Sequence, residues 1–250
     1  MKVFFVFLLT FVSLYPQFSQ AENIVADVID SSPFAYKNQA GEYVGTHYEY
    51  LQAISMESSI GIDIHVVPRM RIIENLKKGS TDAVIMFRSE KRNPIVKYAG
   101  MIRKIKVVAL NRKGSNIRTY EDLYNNTLGV GILRGMFVSE RFNGDKKIKI
   151  ITVNNYTQMV KMLALGRLDT IVGNTIAISN ALNKADMNTD IEFPGYLLAI
   201  KQQWFQFSAK SPHTDKIQQI NQAIFKLREN ATFDSILTRH VGIGWQELNR

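Results

Sequence analysis

Leu76-Lys77-Lys78-Gly79-Ser80-Thr81-Asp82-Ala83-Val84-Ile85 and Leu163-Ala164-Leu165-Gly166-Arg167-Leu168-Asp169-Thr170-Ile171-Val172 read as two copies of one joint. Each is the end of a helix, a glycine that closes it, an aspartate, and then a short apolar strand. The glycines lie 87 residues apart, far longer than the period of a stacked solenoid. The echo therefore predicts two lobes of similar build.

The sequence around the first copy alternates between strand and helix signals. Residues 23–29 read as a strand. Tyr48, Leu51 and Ile54 mark one face of a helix. Ile62, Ile64 and Val66 alternate with Asp63 and His65, which is strand period. Met70, Ile73, Leu76 and Lys77 suggest a helix ending near Gly79, and residues 83–87 a buried strand. The pattern restarts with a strand at 106–110, a short helix capped by Thr119 and running through Asn125, and strands at 128–132 and 147–153. Asn155 can cap a helix bearing Met159, Val160 and Leu163, followed by a strand at 170–173. Ile217, Ile220, Ile224 and Leu227 form an amphipathic helix near the end. This order predicts an α/β fold in which each lobe is a mainly parallel sheet flanked by helices.

The start of the chain predicts export. Lys2 precedes an almost wholly apolar run at residues 3–15, and Ser19-Gln20-Ala21 has the small residues of a cleavage site. The run is shorter than the roughly 20 residues that span a bilayer. A secretory signal cleaved after Ala21 is expected, giving a soluble protein in the periplasm. The chain has no cysteine, which excludes disulfides, thiolate metal sites, a cysteine nucleophile and a lipid anchor on cysteine. Net charge is +9, but the basic residues are dispersed and no nucleic-acid motif is present, so nucleic acid is not an expected partner.

Motifs for catalysis are missing. His47, His65, His213 and His240 have no metal-ligand spacing, and there is no GxSxG turn. Gly129-Val130-Gly131-Ile132-Leu133-Arg134-Gly135 is one residue off a dinucleotide fingerprint and reads as a tight strand-to-helix turn able to offer backbone N–H groups to an anion. No cofactor is expected. The arginines say more. Arg69 and Arg71 precede a helix, Arg88 and Arg92 follow the strand ending at Phe87, and Arg134 follows the strand ending near Ile132. In open α/β sheets ligands sit beyond the carboxyl ends of the strands, and an arginine fork grips a carboxylate through two parallel bonds.

Several segments, in this order, resemble the bacterial extracellular solute-binding proteins of family 3, receptors for amino acids and related polar solutes. They are Ser32-Pro33-Phe34-Ala35-Tyr36, Gly41-Glu42-Tyr43-Val44-Gly45, Glu49-Tyr50-Leu51, the stretch 76–82, Ser89-Glu90-Lys91-Arg92, Tyr98-Ala99, the stretch 163–174 and the stretch 227–233. The resemblance implies the type II periplasmic-binding-protein fold: two lobes joined by a two-strand hinge, with the chain crossing near 102–106 and returning near 200–204. Lobe 1 would comprise residues 22–103 and 203–250, and lobe 2 residues 104–202. A solute would lie in the cleft between them, with Arg92 on its carboxylate and Phe34, Arg134, Gly135, Met136 and Asn174 lining the walls. Arg69, Arg71, Arg88, Ser31 and Asp30 complete the expected site.

Four departures bear on the solute. The resemblance implies an aspartate where Asn174 stands, an aromatic where Ser31 or Ser32 stands, a threonine where Met136 stands and an aromatic where Arg69 stands. Several arginines without an ammonium partner point to an anionic solute, a carboxylate or dicarboxylate, unless Asp30 supplies the missing charge to an amino acid. The partner implied is the membrane permease of an ABC transporter, with a sensor kinase or chemoreceptor as the alternative, and the protein is expected to be a monomer. A dehydratase-like enzyme on the same fold would need an acid in the cleft, for which Glu90 and Glu140 are the candidates.

Overall fold

The computed structural model describes residues 23–114, 117–186, 191, 195–242 and 245–246. The expected signal segment lies outside the described residues. No helix among the described residues is long and apolar enough to cross a membrane.

In the first lobe β1 (Ile24–Ile29) is followed by the small hairpin β2 (Tyr36–Lys37) and β3 (Tyr43–Val44), then α1 (Thr46–Ser58), β4 (Ile62–Val67), α2 (Arg69–Lys78) and β5 (Ala83–Phe87). β1 pairs in parallel with both β4 and β5. After a 3₁₀ segment at Glu90–Ile95, β6 (Val96–Asn111) carries the chain into the second lobe. There β7 (Val130–Leu133), α3 (Glu140–Gly144), β8 (Ile150–Val153), α4 (Tyr156–Ala164), β9 (Thr170–Asn174) and α5 (Thr175–Ala185) follow, and β7 pairs in parallel with β8 and β9. β10 (Tyr196–Ser208) returns to the first lobe, where α6 (Ile217–Glu229) and α7 (Thr232–Val241) complete it. One eight-stranded sheet runs β4-β1-β5-β10-β6-β9-β7-β8.

The echoed joints are structurally alike. Gly79 and Gly166 take left-handed φ values of 79° and 65° at the ends of α2 and α4, a conformation open to glycine at little cost. The following aspartates then repeat one another. Asp82 Oδ2 accepts the N–H of Val25 at 2.9 Å, and Asp169 Oδ2 accepts that of Leu128 at 2.7 Å. In both lobes the carboxylate thus secures a backbone donor at or just before the start of the neighbouring parallel strand.

Two long strands connect the lobes. β6 and β10 are antiparallel along most of their length, with Lys106 opposite Ile200, Arg103 opposite Gln203 and Met101 opposite Trp204. The core divides around this pair. Ile24, Leu51, Ile54, Phe205, Phe207 and Phe233 pack in the first lobe, with Ile72 and Leu76 of α2 in a cluster of their own. Val108, Leu110, Met159, Leu163 and Ile178 form one cluster of the second lobe, and Val107, Val130, Phe142 and Val172 another. A small cluster of Ile105, Ile176, Leu237, Val241 and Trp245 sits at the hinge. With helices over both faces, central β5 carries an unbroken apolar run and β9 is buried along its whole length.

Some local expectations need correction. Met70 is 85% exposed; α2 buries Leu76 as expected, together with Ile72. Arg69 and Arg71 lie in the first turn of α2 rather than before it. The segment after Thr119 is a 3₁₀ helix, Glu121–Asn125, although Thr119 Oγ1 does accept the Asp122 N–H at 3.3 Å. Asn155 caps α4 as expected, taking the Gln158 N–H at 2.8 Å.

Candidate binding cleft

Strand direction alone forms a cleft. β5 and β6 both run antiparallel to β10, so β5 points from the first lobe toward the second. β9 is antiparallel to β6 and so runs with β10, back toward the first lobe. The carboxyl ends of both parallel sets therefore face the hinge from opposite sides, where open α/β sheets hold their ligands. β1 leads into Asp30, Ser31 and Phe34, β4 into Arg69, and β5 into Arg88 and Arg92. From the other lobe β7 leads into Arg134, Gly135 and Met136, and β9 ends at Asn174.

On the first wall Arg92 is partly buried, and its guanidinium Nη2 donates to the Phe87 carbonyl. Its Nε is fully buried with no hydrogen-bond partner. Burial lowers its pKa. Among the described residues no carboxylate lies within ion-pair distance of it. Arg88 does something else: its guanidinium lies 4.6 Å over the Tyr98 ring and 5.4 Å from the Trp204 ring. The Tyr98 hydroxyl reaches the Ser89 carbonyl at 3.1 Å and Asn93 Oδ1 at 3.0 Å, so this stack braces the loop that carries Arg92. Asp30 and Ser31 are exposed in a loop closed by Phe34 N–H donating to the Ser31 carbonyl at 2.8 Å.

Phe34 rests on a buried histidine. The rings of Phe34 and His47 lie 4.6 Å apart, and the Gln203 amide approaches His47 Nε2 at 2.7 Å. Burial, with the Arg103 charge adding to it, pushes the His47 pKa down to about 3. His47 thus links a cleft residue to the hinge strand β10 as a neutral imidazole.

The second wall is a connected set. Asn174 Oδ1 caps α5 by accepting the Ala177 N–H at 2.8 Å, while its Nδ2 donates to the Tyr156 hydroxyl at 3.2 Å. That hydroxyl in turn points at Met136 Sδ, 3.8 Å away. Gly173 makes room for the ring, since a Cβ there would fall 2.5 Å from Tyr156 Cε1. Burial raises the Tyr156 pKa, against which the positive charge of Arg69 acts from the facing lobe. Arg134 extends from the end of β7 with its side chain exposed and its N–H on the Val153 carbonyl at 2.9 Å. The turn here does not run straight into a helix as expected. Met136 N–H closes it on the Leu133 carbonyl at 2.9 Å, and α3 starts only at Glu140.

The structure thus gathers Met136 and Asn174 around Tyr156 on one wall and sets Phe34, Arg69 and Arg92 on the other. Arg71 falls outside this group: it is exposed, and its charge acts on Glu74 of its own helix, whose pKa is lowered first by its bond to Lys78. Tyr156 and His47 were missed as site residues. The signal for Tyr156 was its place directly after the capping Asn155. His47 gave none, because a histidine on a helix face reads as surface.

Residues 24–243 match the sequence profile of the bacterial extracellular solute-binding proteins, family 3. The chain belongs to this family. It is similar to the probable amino-acid-binding protein YxeM of Bacillus subtilis (strain 168), at 24% identity over 220 residues, covering 84% of this chain and 80% of that protein. It is also similar to the lysine/arginine/ornithine-binding periplasmic protein of Escherichia coli (strain K12), at 22% identity over 217 residues, covering 84% of this chain and 83% of the other. Among solved structures, a histidine kinase sensor domain with similarity to periplasmic binding proteins superposes with a TM-score of 0.70 at 17% identity, over 88% of this chain and 96% of that one. The fold is the two-lobed type II arrangement of periplasmic binding proteins, and family 3 is one of solute binders.

Proposed function

We propose that this family member is a periplasmic receptor that captures a carboxylate-bearing solute between its lobes and delivers it to the permease of an ABC transporter. In this reading the signal is removed after Ala21, lobe 1 comprises residues 22–103 and 203–250, and lobe 2 residues 104–202. The observation that carries the reading is Arg92: a guanidinium drawn into the protein, with one donor buried and unbonded and no carboxylate in contact among the described residues. A buried cation without a counter-charge is costly, and a solute carboxylate would offset that cost with charge-assisted hydrogen bonds.

The second wall argues about the rest of the solute. Asn174 is neutral, and both ends of its amide are engaged within its own lobe. It offers no charge to an ammonium group. Arg69 and Arg134 add positive charge to opposite walls, which favours a solute with more than one anionic group. Asp30, exposed on the first wall, is the carboxylate that could hold an ammonium. Glu90 and Glu140 are both exposed, and Glu140 lies 3.9 Å from Lys91, a setting that supports a binder rather than a proton-transferring enzyme.

The test is a thermal-shift panel on the chain starting at Glu22, with dicarboxylates, monocarboxylates, neutral amino acids, cationic amino acids and sugars. A solute that binds the native state raises the melting temperature by mass action. Dicarboxylates are expected to give the largest shift. A shift confined to cationic amino acids would overturn the anionic assignment and transfer the argument to Asp30. A shift from sugars alone would remove the role given to Arg92.

A further inference from the structure

Away from the cleft floor, the end of α5 reaches back from the second lobe to the first. Lys184 Nζ donates to Ser32 Oγ at 2.6 Å and lies 5.1 Å over the Tyr36 ring. The neighbouring Asn183 Nδ2 bonds the Val241 carbonyl at the end of α7. Tyr36 is held firmly for this contact. Its hydroxyl lies 3.0 Å from His240 Nδ1, His240 Nε2 lies 2.5 Å from Glu49 Oε1, and Glu49 is fixed from its other oxygen by Arg239 at 2.7 Å. The His240 side chain is only 9% exposed. This relay of bonded side chains belongs to the first lobe and ends in an aromatic face turned to a cation of the second. Ser32 lies in the loop between Ser31 and Phe34, on the first wall of the cleft.

We infer that Lys184 is an interlobe latch: its ammonium docks on Ser32 and Tyr36 when the lobes close, and this contact sets the balance between closed and open forms. A cation on an aromatic face and a charged hydrogen bond are each favourable even at exposed sites. The partners of the latch belong to different lobes, so opening of the lobes is expected to part them. Any ligand that favours the closed form is then aided by the latch. Asn174 and Lys184 stand at opposite ends of α5, so the helix ties the second wall of the cleft to the rim of the first.

The absence of cysteine makes the measurement direct. Ser80→Cys and Lys161→Cys, both on exposed positions, take a pair of fluorophores whose energy transfer reports lobe separation. In the full chain from Glu22, Lys184→Met and Ser32→Ala are each expected to lower the closed-to-open ratio by roughly three- to tenfold, the range that a latch of this kind supplies. The double variant is expected to lose no more than the larger single. A ratio unchanged in Lys184→Met, or two losses that multiply in the double variant, would overturn the latch. Should Lys184→Met fail to fold, Ser32→Ala decides, because it removes only the acceptor. Since the readout needs no solute, the inference rests on the cleft reading for one point only, that solute affinity follows closure. A ratio that falls while carboxylate affinity stays constant supports the latch and counts against the cleft.

Discussion

Replacing Arg92 by methionine is expected to weaken carboxylate binding by two orders of magnitude or more and, in the absence of solute, to raise the melting temperature. Both effects have one cause. The guanidinium is half withdrawn from water, bonds the Phe87 carbonyl, and leaves its Nε buried without an acceptor. Removing one member of a buried, hydrogen-bonded charge pair costs about 2–5 kcal/mol of binding, and each 1.4 kcal/mol is about tenfold in affinity. Without solute the same charge has no carboxylate partner among the described residues, so methionine, which keeps the apolar stem, is expected to relieve about 1 kcal/mol of desolvation. For a chain of this size that is about 2–4 °C. Arg92→Lys keeps the charge and loses the planar fork, and should fall between the two. Calorimetric titration and thermal melting of the three proteins measure both halves. Unchanged affinity in Arg92→Met would remove Arg92 from the site.

Acid is expected to destabilise the protein well above the range in which carboxylates titrate, and His47 is the reason. Its pKa is about 3 in the folded chain against 6.5 for an ordinary imidazole. Between those values the unfolded chain binds a proton that the folded chain refuses, so stability rises with pH across the window. The contribution is complete above pH 6.5 and is lost as the pH falls toward about 3, up to a total on the order of 5 kcal/mol. Burial dominates the shift, and the nearby Arg103 adds to it. The lowered carboxylates Glu49, Glu74, Asp122, Asp145 and Asp215 start from ordinary values of 3.8 to 4.5, so the interval from pH 4.5 to 6.5 isolates the histidine from them. Denaturant midpoints across that interval should slope in the wild type and flatten in His47→Gln. A wild-type slope that survives the substitution would assign the proton to another group.

These two residues were not equally legible in the sequence. Arg92 was read from its place after a buried strand and from the family pattern, and the structure adds that its Nε is buried and unpartnered. His47 was invisible because one histidine on a helix carries no periodic signal. Its burial comes from Phe34 and Gln203, which belong to other parts of the chain, together with Tyr50 one turn along the same helix. The echoed joints at Gly79 and Gly166 were legible because a glycine stop and an aspartate are local chemistry. Helix α5 was not, since Thr175 through Leu182 are all buried and a helix buried on every side has no polar face to mark its period. Residue pattern alone marks β6 only from residue 106, with the family pattern adding the crossing near 102–106, because Arg103 and Lys104 interrupt its apolar run. Charges there are tolerated because a hinge strand crosses between two cores and belongs fully to neither. The latch is the extreme case: Lys184 and Ser32 are far apart in sequence, and each alone reads as surface.

Arg92 and the solute's carboxylate are expected to recognise one another across the cleft. The most direct measurement is a calorimetric cycle: the best solute from the panel and its carboxamide analogue, each titrated into wild type and Arg92→Met. The expected result is a loss of about 100-fold for the carboxamide on wild type, and little further discrimination between the two solutes on Arg92→Met. Equal affinity of wild type for carboxylate and carboxamide, or the same discrimination on both proteins, would contradict it.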